Sequence, residues 1–210
     1  MTSYISDKQL RHLSARQALS QLDLRQLWRI ASGTLRIDHN QDGDGMGSGF
    51  VRLALKGDLI GMEALSGMTD TISIRALTQV SLVPVVFFDD KHLMRLLMEA
   101  VITGHQRCRE MISLRTGTVD ERVKRLLRML ADGEAGESGE ELACALPSLG
   151  NMAEITNSTR ETICRVLASL RDSQFLEDCN PNSLKRKHLE NREHRLRVKP
   201  SADAISVMGM

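Results

Sequence analysis

The sequence predicts an α+β protein in which strands occupy the first ninety residues and helices follow. Three patterns indicate this. Residues 71–76 alternate apolar and polar side chains, the period of a half-buried strand. Residues 118–131 repeat apolar side chains at steps of three and four, as an amphipathic helix does. Residues 147–170 contain two short helical patterns interrupted at Asn157, a residue type that tolerates a positive φ.

Further strands are predicted in the amino-terminal region from apolar runs at 50–55 and 80–88. Residues 14–27 instead look helical. Asp38 and the polar residues after it match the start of a calcium loop, but Gly49 stands where the twelfth-position Glu is needed. We therefore interpret this stretch as a polar hairpin loop.

Residues 91–114 are predicted to form a long helix. Its apolar and small residues recur at alternating steps of three and four, the spacing of a seam between paired helices. The candidate seam consists of Leu93, Leu97, Ala100, Gly104, Cys108 and Met111. Gly104 weakens a helix by roughly 1 kcal/mol relative to Ala, but it permits a partner backbone to approach closely. An ordinary helix packed on a core has the same spacing, so both interpretations stay open.

The segment 118–131 is predicted to be the next helix, and its start carries a capping box formed by Thr118 and Glu121. The Gly-rich acidic stretch at 132–141 is interpreted as an exposed loop between helices.

Residues 158–170 separate into two faces when drawn as a helix. The apolar stripe consists of Ile163, Val166, Leu167 and Leu170. The opposite face carries Arg160, Glu161, Cys164, Arg165 and Ala168. Arginine can bind a guanine edge through two hydrogen bonds, a carboxylate can accept from cytosine, and small neighbours let a helix enter a major groove. This face is therefore a candidate for reading DNA bases.

Ser158 is the predicted cap of this helix, with Glu161 completing a capping box. A short helix at 147–156, a turn at Asn157 and this second helix together predict a helix-turn-helix, whose second helix enters the major groove. The alternative is that Glu161 only caps the helix and that Arg160 and Arg165 are solvated surface charges.

The stretch 152–167, MAEITNSTRETICRVL, resembles the signature of the Crp/Fnr regulators, the family of the cyclic-AMP receptor protein and of the fumarate and nitrate reductase regulator. Met152 departs from the family's Leu, and Asn157 departs from its turn glycine. Residues 28–37 resemble the family's strand, glycine turn and strand, and residues 56–61 resemble its glycine–aspartate turn.

The resemblance implies a β-roll of the cyclic-nucleotide-binding type at 1–90, a dimerisation helix at 91–115 and a winged helix-turn-helix at 116–210. It implies a homodimer on a palindromic site in double-stranded DNA, recognition by a helix at about 158–170, and contact with RNA polymerase. The base-reading residues of a TGA-type half-site would be Arg160, Glu161 and Arg165. The phosphate contacts would be Ser158, Thr159, Thr162, Lys185 and Lys187.

The effector stays unknown. Family members that bind cyclic AMP have a Glu directly after the turn glycine and an Arg before the next strand, whereas this chain has Met62 and Asp70 at those positions. An Asp repels a phosphate, so cyclic AMP in the usual mode is not expected. The first cysteine is Cys108 and the histidines are isolated, so neither an iron–sulfur nor a haem signature is present. Opening strands are hard to identify before Trp28, which leaves open whether the roll is abbreviated and keeps a pocket.

Composition and charge limit the remaining classes of protein to which the chain could belong. The chain has 210 residues and a net charge of +1, with 41% hydrophobic and 3% aromatic residues. Seven Lys or Arg lie within 181–200, as expected for phosphate contacts from a wing or for a solvated basic tail. No signal peptide is recognisable and no apolar run approaches about 18 residues, so we expect no membrane association and a cytoplasmic protein with reduced cysteines.

No phosphate-binding glycine loop, nucleophile elbow or metal-ligand cluster is found in the sequence, so an enzyme is not expected. Two alternatives remain open beside an effector-controlled regulator. One is a dimeric ligand- or partner-binding module that has lost DNA binding. The other is a regulator that binds DNA without any effector and whose activity is set by its abundance.

Overall fold

The computed structural model describes residues 10–39, 49–62, 72–134, 143–178 and 195–198. The chain divides into two compact units, Met1–Gly117 and Thr118–Met210. The first contains β1 (Arg11–Leu13), β2 (Trp28–Ser32), β3 (Leu35–His39), β4 (Gly49–Ala54), β5 (Leu59–Ile60), β6 (Ile72–Ala76), β7 (Val80–Pro84) and α1 (Asp90–Ser113). The second contains α2 (Val119–Glu134), β8 (Ala143–Ala145), α3 (Leu149–Ile155), α4 (Arg160–Asp172), β9 (Leu176–Asp178) and β10 (Arg195–Val198). The predicted α+β class is confirmed.

Two antiparallel sheets build the first unit. One has the strand order β1-β7-β2-β5 and the other the order β4-β3-β6. Inward-facing side chains from both sheets form one buried cluster, which includes Leu13, Ile30, Leu35, Ile74 and Leu82. The core of this unit therefore lies between its two sheets, as in a β-roll.

Two glycines are required by the turns of this unit. Gly33 has φ +85°, and a Cβ there would lie 2.1 Å from the carbonyl oxygen of Gln79. Gly61 has φ +90°, and its Cβ would lie 2.1 Å from the carbonyl oxygen of Gln26. A side chain at either position would need both a left-handed backbone and space that a neighbouring carbonyl occupies, so only glycine fits.

The predicted helix at 14–27 is wrong. Only Asp23–Arg25 form a short 3₁₀ helix, while Ala18 bridges Arg75 and β1 precedes the segment as a strand paired with β7. Its backbone pairs with β6: the Arg16 N–H donates to the Ala76 carbonyl at 2.8 Å, and the Leu19 N–H donates to the Ile74 carbonyl at 2.9 Å. The segment is instead held in place by the sheets.

Asp38 is not part of a polar loop. It lies on β3 with no exposed surface and accepts hydrogen bonds from Arg36 Nε at 2.6 Å and Arg75 Nη2 at 2.8 Å. Arg36 is itself 1% exposed and stacks over the Phe50 ring. Asp38 is thus the anion of a buried ion cluster, and residues 40–48 of the interpreted hairpin loop lie outside the described residues.

A second ion pair joins α1 to the roll. Arg107 of α1 donates to Asp58 from Nε at 2.8 Å and from Nη2 at 3.0 Å, and it donates to Glu110 at 2.7 Å. Asp58 also accepts from the Leu55 backbone N–H at 2.9 Å. Burial disfavours the charged guanidinium, but the hydrogen bonds to Asp58 and Glu110 outweigh it and raise the pKa of Arg107 above its ordinary value.

Helix α1 is apolar on two sides, and the predicted seam lies on the side turned towards its own unit. Met111 is buried, Leu93 and Leu97 are half-buried, and Ala100 and Gly104 line a small cavity beside the Asp58–Arg107 pair. Of the six seam residues only Cys108 is exposed. Periodicity identified this stripe, and its role as an interface between two copies stays a prediction.

The exposed apolar stripe of α1 is a different one. It consists of Met94, Met98, Val101 and Ile112, whose residue exposures are 57%, 57%, 66% and 63%. With His105 and Cys108 these positions follow steps of four and three along the helix. Among the described residues, neither α1 nor any other helix combines the length and the apolar character needed to cross a membrane.

Candidate nucleic-acid interface

Helix α2 forms the base of the second unit. Its capping box is present as predicted: the Thr118 N–H donates to Glu121 at 3.1 Å, and the Glu121 N–H donates to the Thr118 hydroxyl at 3.4 Å. Its buried face consists of Val123, Leu126, Leu127, Leu130 and Ala131. The helix extends to Glu134, so the first three residues of the predicted loop 132–141 are helical, while 135–142 lie outside the described residues.

The turn between α3 and α4 is a Schellman motif. The Ser158 N–H donates to the Ala153 carbonyl at 2.8 Å, and the Asn157 N–H donates to the Glu154 carbonyl at 3.3 Å. Asn157 has φ +48°, the left-handed conformation expected for it from the sequence. The two helices are therefore joined by a turn whose geometry the backbone itself fixes.

Arg122 of α2 forms hydrogen bonds to this turn. Its Nη1 donates to the Thr156 carbonyl at 2.7 Å and to the Asn157 carbonyl at 3.3 Å. Hydrogen bonds from a charged donor are worth about 1.5–3 kcal/mol. Arg122 thus fixes the turn relative to α2, a role that no local pattern in the sequence indicated.

The cap of α4 is Thr159, and the predicted capping box between Ser158 and Glu161 is wrong. The Thr159 hydroxyl accepts from the Thr162 N–H at 3.2 Å. The reason lies in the preceding turn: the Schellman motif uses the Ser158 N–H, so α4 begins one residue later than predicted. Counting two residues on from a left-handed Asn157 would have located the cap.

The polar face of α4 is exposed over its first two turns. The structure places Arg160, Glu161, Cys164, Arg165 and Ala168 on it. Ile163, Leu167 and Leu170 are at most 4% exposed on the opposite side, and Val166 is half-buried. The three proposed base readers thus share one accessible surface, and their contact with bases stays a prediction.

The carboxylate of Glu161 is held in its charged form. A hydrogen bond from its own backbone N–H and one from the Thr159 hydroxyl lower its pKa, and the charges of Arg160 and Arg165 lower it further. Arg165 also donates to the Thr162 hydroxyl at 3.4 Å. The face therefore presents two cations and one anion at neutral pH, which are donors and an acceptor for base edges.

The proposed phosphate contacts fall partly within the described residues. Thr159 is exposed, and Ser158 and Thr162 are half-buried at the start of α4. Lys185 and Lys187 lie outside the described residues. A small antiparallel sheet has the order β8-β10-β9, in which β8 precedes the helix pair in sequence and β9 and β10 follow it. Arg195 and Arg197 belong to β10.

Within the described parts of the chain, no group of three or more His, Cys, Asp or Glu side chains could hold a metal ion. Met62 is described, but Asp70 and the rest of 63–71, which bear on the cyclic-AMP comparison, lie outside the described residues. The structure therefore leaves the effector open.

No protein-family model matches the sequence, and no curated protein matches it significantly. Solved structures do match. A CRP-family transcriptional regulator from Thermus thermophilus is 23% identical, with a TM-score of 0.64, covering 90% of this chain and 91% of that one. FixK2 from Bradyrhizobium japonicum is 17% identical, with a TM-score of 0.62, covering 91% and 92%.

A CRP/FNR-family transcriptional regulator, also from Thermus thermophilus, is 17% identical, with a TM-score of 0.56, covering 91% of this chain and 93% of that one. The likeness extends over nearly the whole of each chain. At these identities it shows the fold, which is the fold of CRP/FNR transcriptional regulators and confirms the architecture that the sequence resemblance implied.

Proposed function

We propose that the chain is a sequence-specific DNA-binding transcription regulator of the Crp/Fnr type. The observation that carries the proposal is the exposed face of α4, where Arg160, Glu161 and Arg165 surround only small residues. A buried apolar face holds this helix, and a Schellman turn and Arg122 fix its start. A rigid scaffold beneath an exposed set of donors and an acceptor is what base reading requires.

Each residue of the face has a distinct role in the proposal. Arg160 and Arg165 donate to guanine edges, and the ionised Glu161 accepts from a cytosine amino group. Cys164 and Ala168 are small enough for the helix axis to approach the floor of the groove. The hydroxyls and N–H groups at the start of α4, together with the basic residues of 181–200, contact phosphates and supply affinity that does not depend on sequence.

A homodimer is part of the proposal, because one short helix reads few base pairs and a two-fold dimer doubles the site. The exposed stripe of α1 supports it: Met94, Met98, Val101 and Ile112 recur at the spacing of a helix seam on a helix about 36 Å long. We propose this stripe as the interface between copies, in place of the stripe that contacts the roll. Bound to a palindromic site, the dimer would act on transcription through RNA polymerase.

Selection of binding sites from a random pool of DNA duplexes tests the proposal. The wild type should enrich a two-fold symmetric site with TGA-like halves, and Arg165→Ala should lose it. Arg171→Ala is the matched control: it removes the same side chain from the last turn of the same helix, and the selected site should be unchanged. No enrichment by the wild type at low salt, with or without cell extract, would contradict DNA reading and favour the partner-binding module.

A further inference from the structure

Gly150, in the first turn of α3, lies directly beside the guanidinium of Arg160. A Cβ built on Gly150 would be 3.1 Å from Arg160 Nη2, 3.3 Å from Nε and 3.5 Å from Cζ. The three atoms nearest to this Cβ thus belong to one side chain and lie along one edge of its charged group. That edge is formed by Nε and Nη2, so Nη1 and Nη2 are the pair of donors that would bind a guanine.

The backbone at Gly150 does not explain the glycine. Its φ lies outside the left-handed region, and it is part of a helix that Ser148 caps by accepting from the Asn151 N–H at 3.2 Å. Glycine in a helix is less favourable than Ala by up to about 1 kcal/mol. What the missing side chain provides at this position is space, and Arg160 occupies that space.

Comparison with Gly104 shows that a close side-chain neighbour is a property of the Gly150 site and not of helical glycines in general. It also lies within a helix, and a Cβ built there meets nothing within 4 Å. Ala at Gly104 would therefore displace no neighbour, whereas Ala at Gly150 would push against the end of Arg160. The two positions form a matched pair for experiment.

We propose that Gly150 is a positioning residue for Arg160 and thereby sets base discrimination by α4. Arg160 is the first residue of α4 and is exposed, and the end of its long side chain lies against α3 at Gly150. Packing against the backbone of Gly150 removes rotamers before DNA arrives, and a pre-organised contact loses less entropy on binding. This inference rests on the proposed function, since it names a residue that tunes the same surface.

The test compares Gly150→Ala and Gly150→Leu with Gly104→Ala. The probes are the duplex that the wild type selects and its variants at the base pair whose preference Arg160→Ala abolishes. We expect Gly150→Leu to lose most of the discrimination at that base pair, roughly the 5- to 150-fold that one bidentate contact supplies, and Gly150→Ala to lose part of it. Gly104→Ala should discriminate as the wild type does.

Stability and a double-mutant cycle separate this role from a structural one. Ala and Leu are better helix formers than Gly, so the Gly150 variants should melt no lower than the wild type. Combined with Arg160→Ala, Gly150→Leu should cause no further loss of discrimination, because the effect acts through Arg160.

Each other outcome has a distinct meaning. Unchanged discrimination in both Gly150 variants, with a selective wild type, overturns the positioning role and leaves the proposed function intact. An equal loss of affinity for all the duplexes, whatever their base pair, also overturns the positioning role, since Gly150 would then affect how the helix docks on DNA and not which base it selects. A wild type that selects no site overturns the proposed function and this inference with it.

Discussion

Replacing Arg107 with Met should strongly destabilise the amino-terminal unit. The change removes the guanidinium that makes two hydrogen bonds to Asp58 and keeps an apolar stem of similar length. Asp58 is left as a carboxylate whose side chain is 4% exposed, facing the space that the guanidinium occupied.

The size of the expected loss of stability follows from the burial of Asp58. Removing one partner of a buried ion pair costs about 3–5 kcal/mol, because the other charge stays desolvated without compensation. Asp58 keeps the hydrogen bond from the Leu55 N–H, and the Met side chain fills part of the vacated volume. We therefore expect a loss near the lower end, about 3 kcal/mol in the free energy of unfolding.

Urea unfolding followed by the fluorescence of Trp28 measures this directly. Trp28 is the single tryptophan of the chain and is 8% exposed in the core of the roll, so its signal reports the first unit. The control is Arg29→Met, which breaks the Arg29–Glu99 pair at 2.6 Å, whose side chains are 35% and 47% exposed. An exposed pair contributes about 0–1 kcal/mol. Equal losses in the two variants, or a loss below about 1 kcal/mol for Arg107→Met, would refute the reasoning from burial.

Three further results are expected. Thr159→Ala should lower the stability of the second unit by about 1 kcal/mol in thermal unfolding, and Ser158→Ala by clearly less; the reverse order would restore Ser158 as the cap. Val101→Glu should give monomers in sedimentation experiments while Val101→Leu stays dimeric, and dimers in both would exclude this stripe. Finally, the hydrogen bond from Arg29 lowers the pKa of Glu99, so its contribution to stability is present at neutral pH and is lost as the pH falls through that lowered pKa. The urea midpoints of wild type and Glu99→Gln should therefore converge in acid, and a constant difference would contradict the assignment.

Local patterns predicted much of this fold because they report local energies. Apolar periodicity located α1, α2 and α4, and alternation located β6, since each element buries one face. The left-handed Asn157 was expected because few other residue types accept that conformation. The polar face of α4 followed from the same helical geometry that placed Ile163 and Leu167 in the core.

The wrong predictions concern residues whose surroundings are set by partners outside the local sequence pattern. Asp38 looked like a loop residue because one of its two arginine partners, Arg75, lies on another strand. Both apolar stripes of α1 have the spacing of a helix seam, and which stripe is more buried depends on how α1 packs against the roll. The cap of α4 was misplaced by one residue because Ser and Thr are both favoured cap residues, and the preceding turn selects Thr159.

Because α1 is apolar on two sides, the amount of protein in the cell affects how much of it is paired. A lone chain keeps Met94, Met98, Val101 and Ile112 in water, so the stability of the folded protein and its pairing are linked by mass action. At concentrations below the dissociation constant of the proposed dimer, the amount of paired protein grows with the square of the amount synthesised. A promoter with a two-fold site would then respond to a doubling of the protein with nearly four times the occupancy, so that the cell could use synthesis and degradation of the chain itself as a control signal.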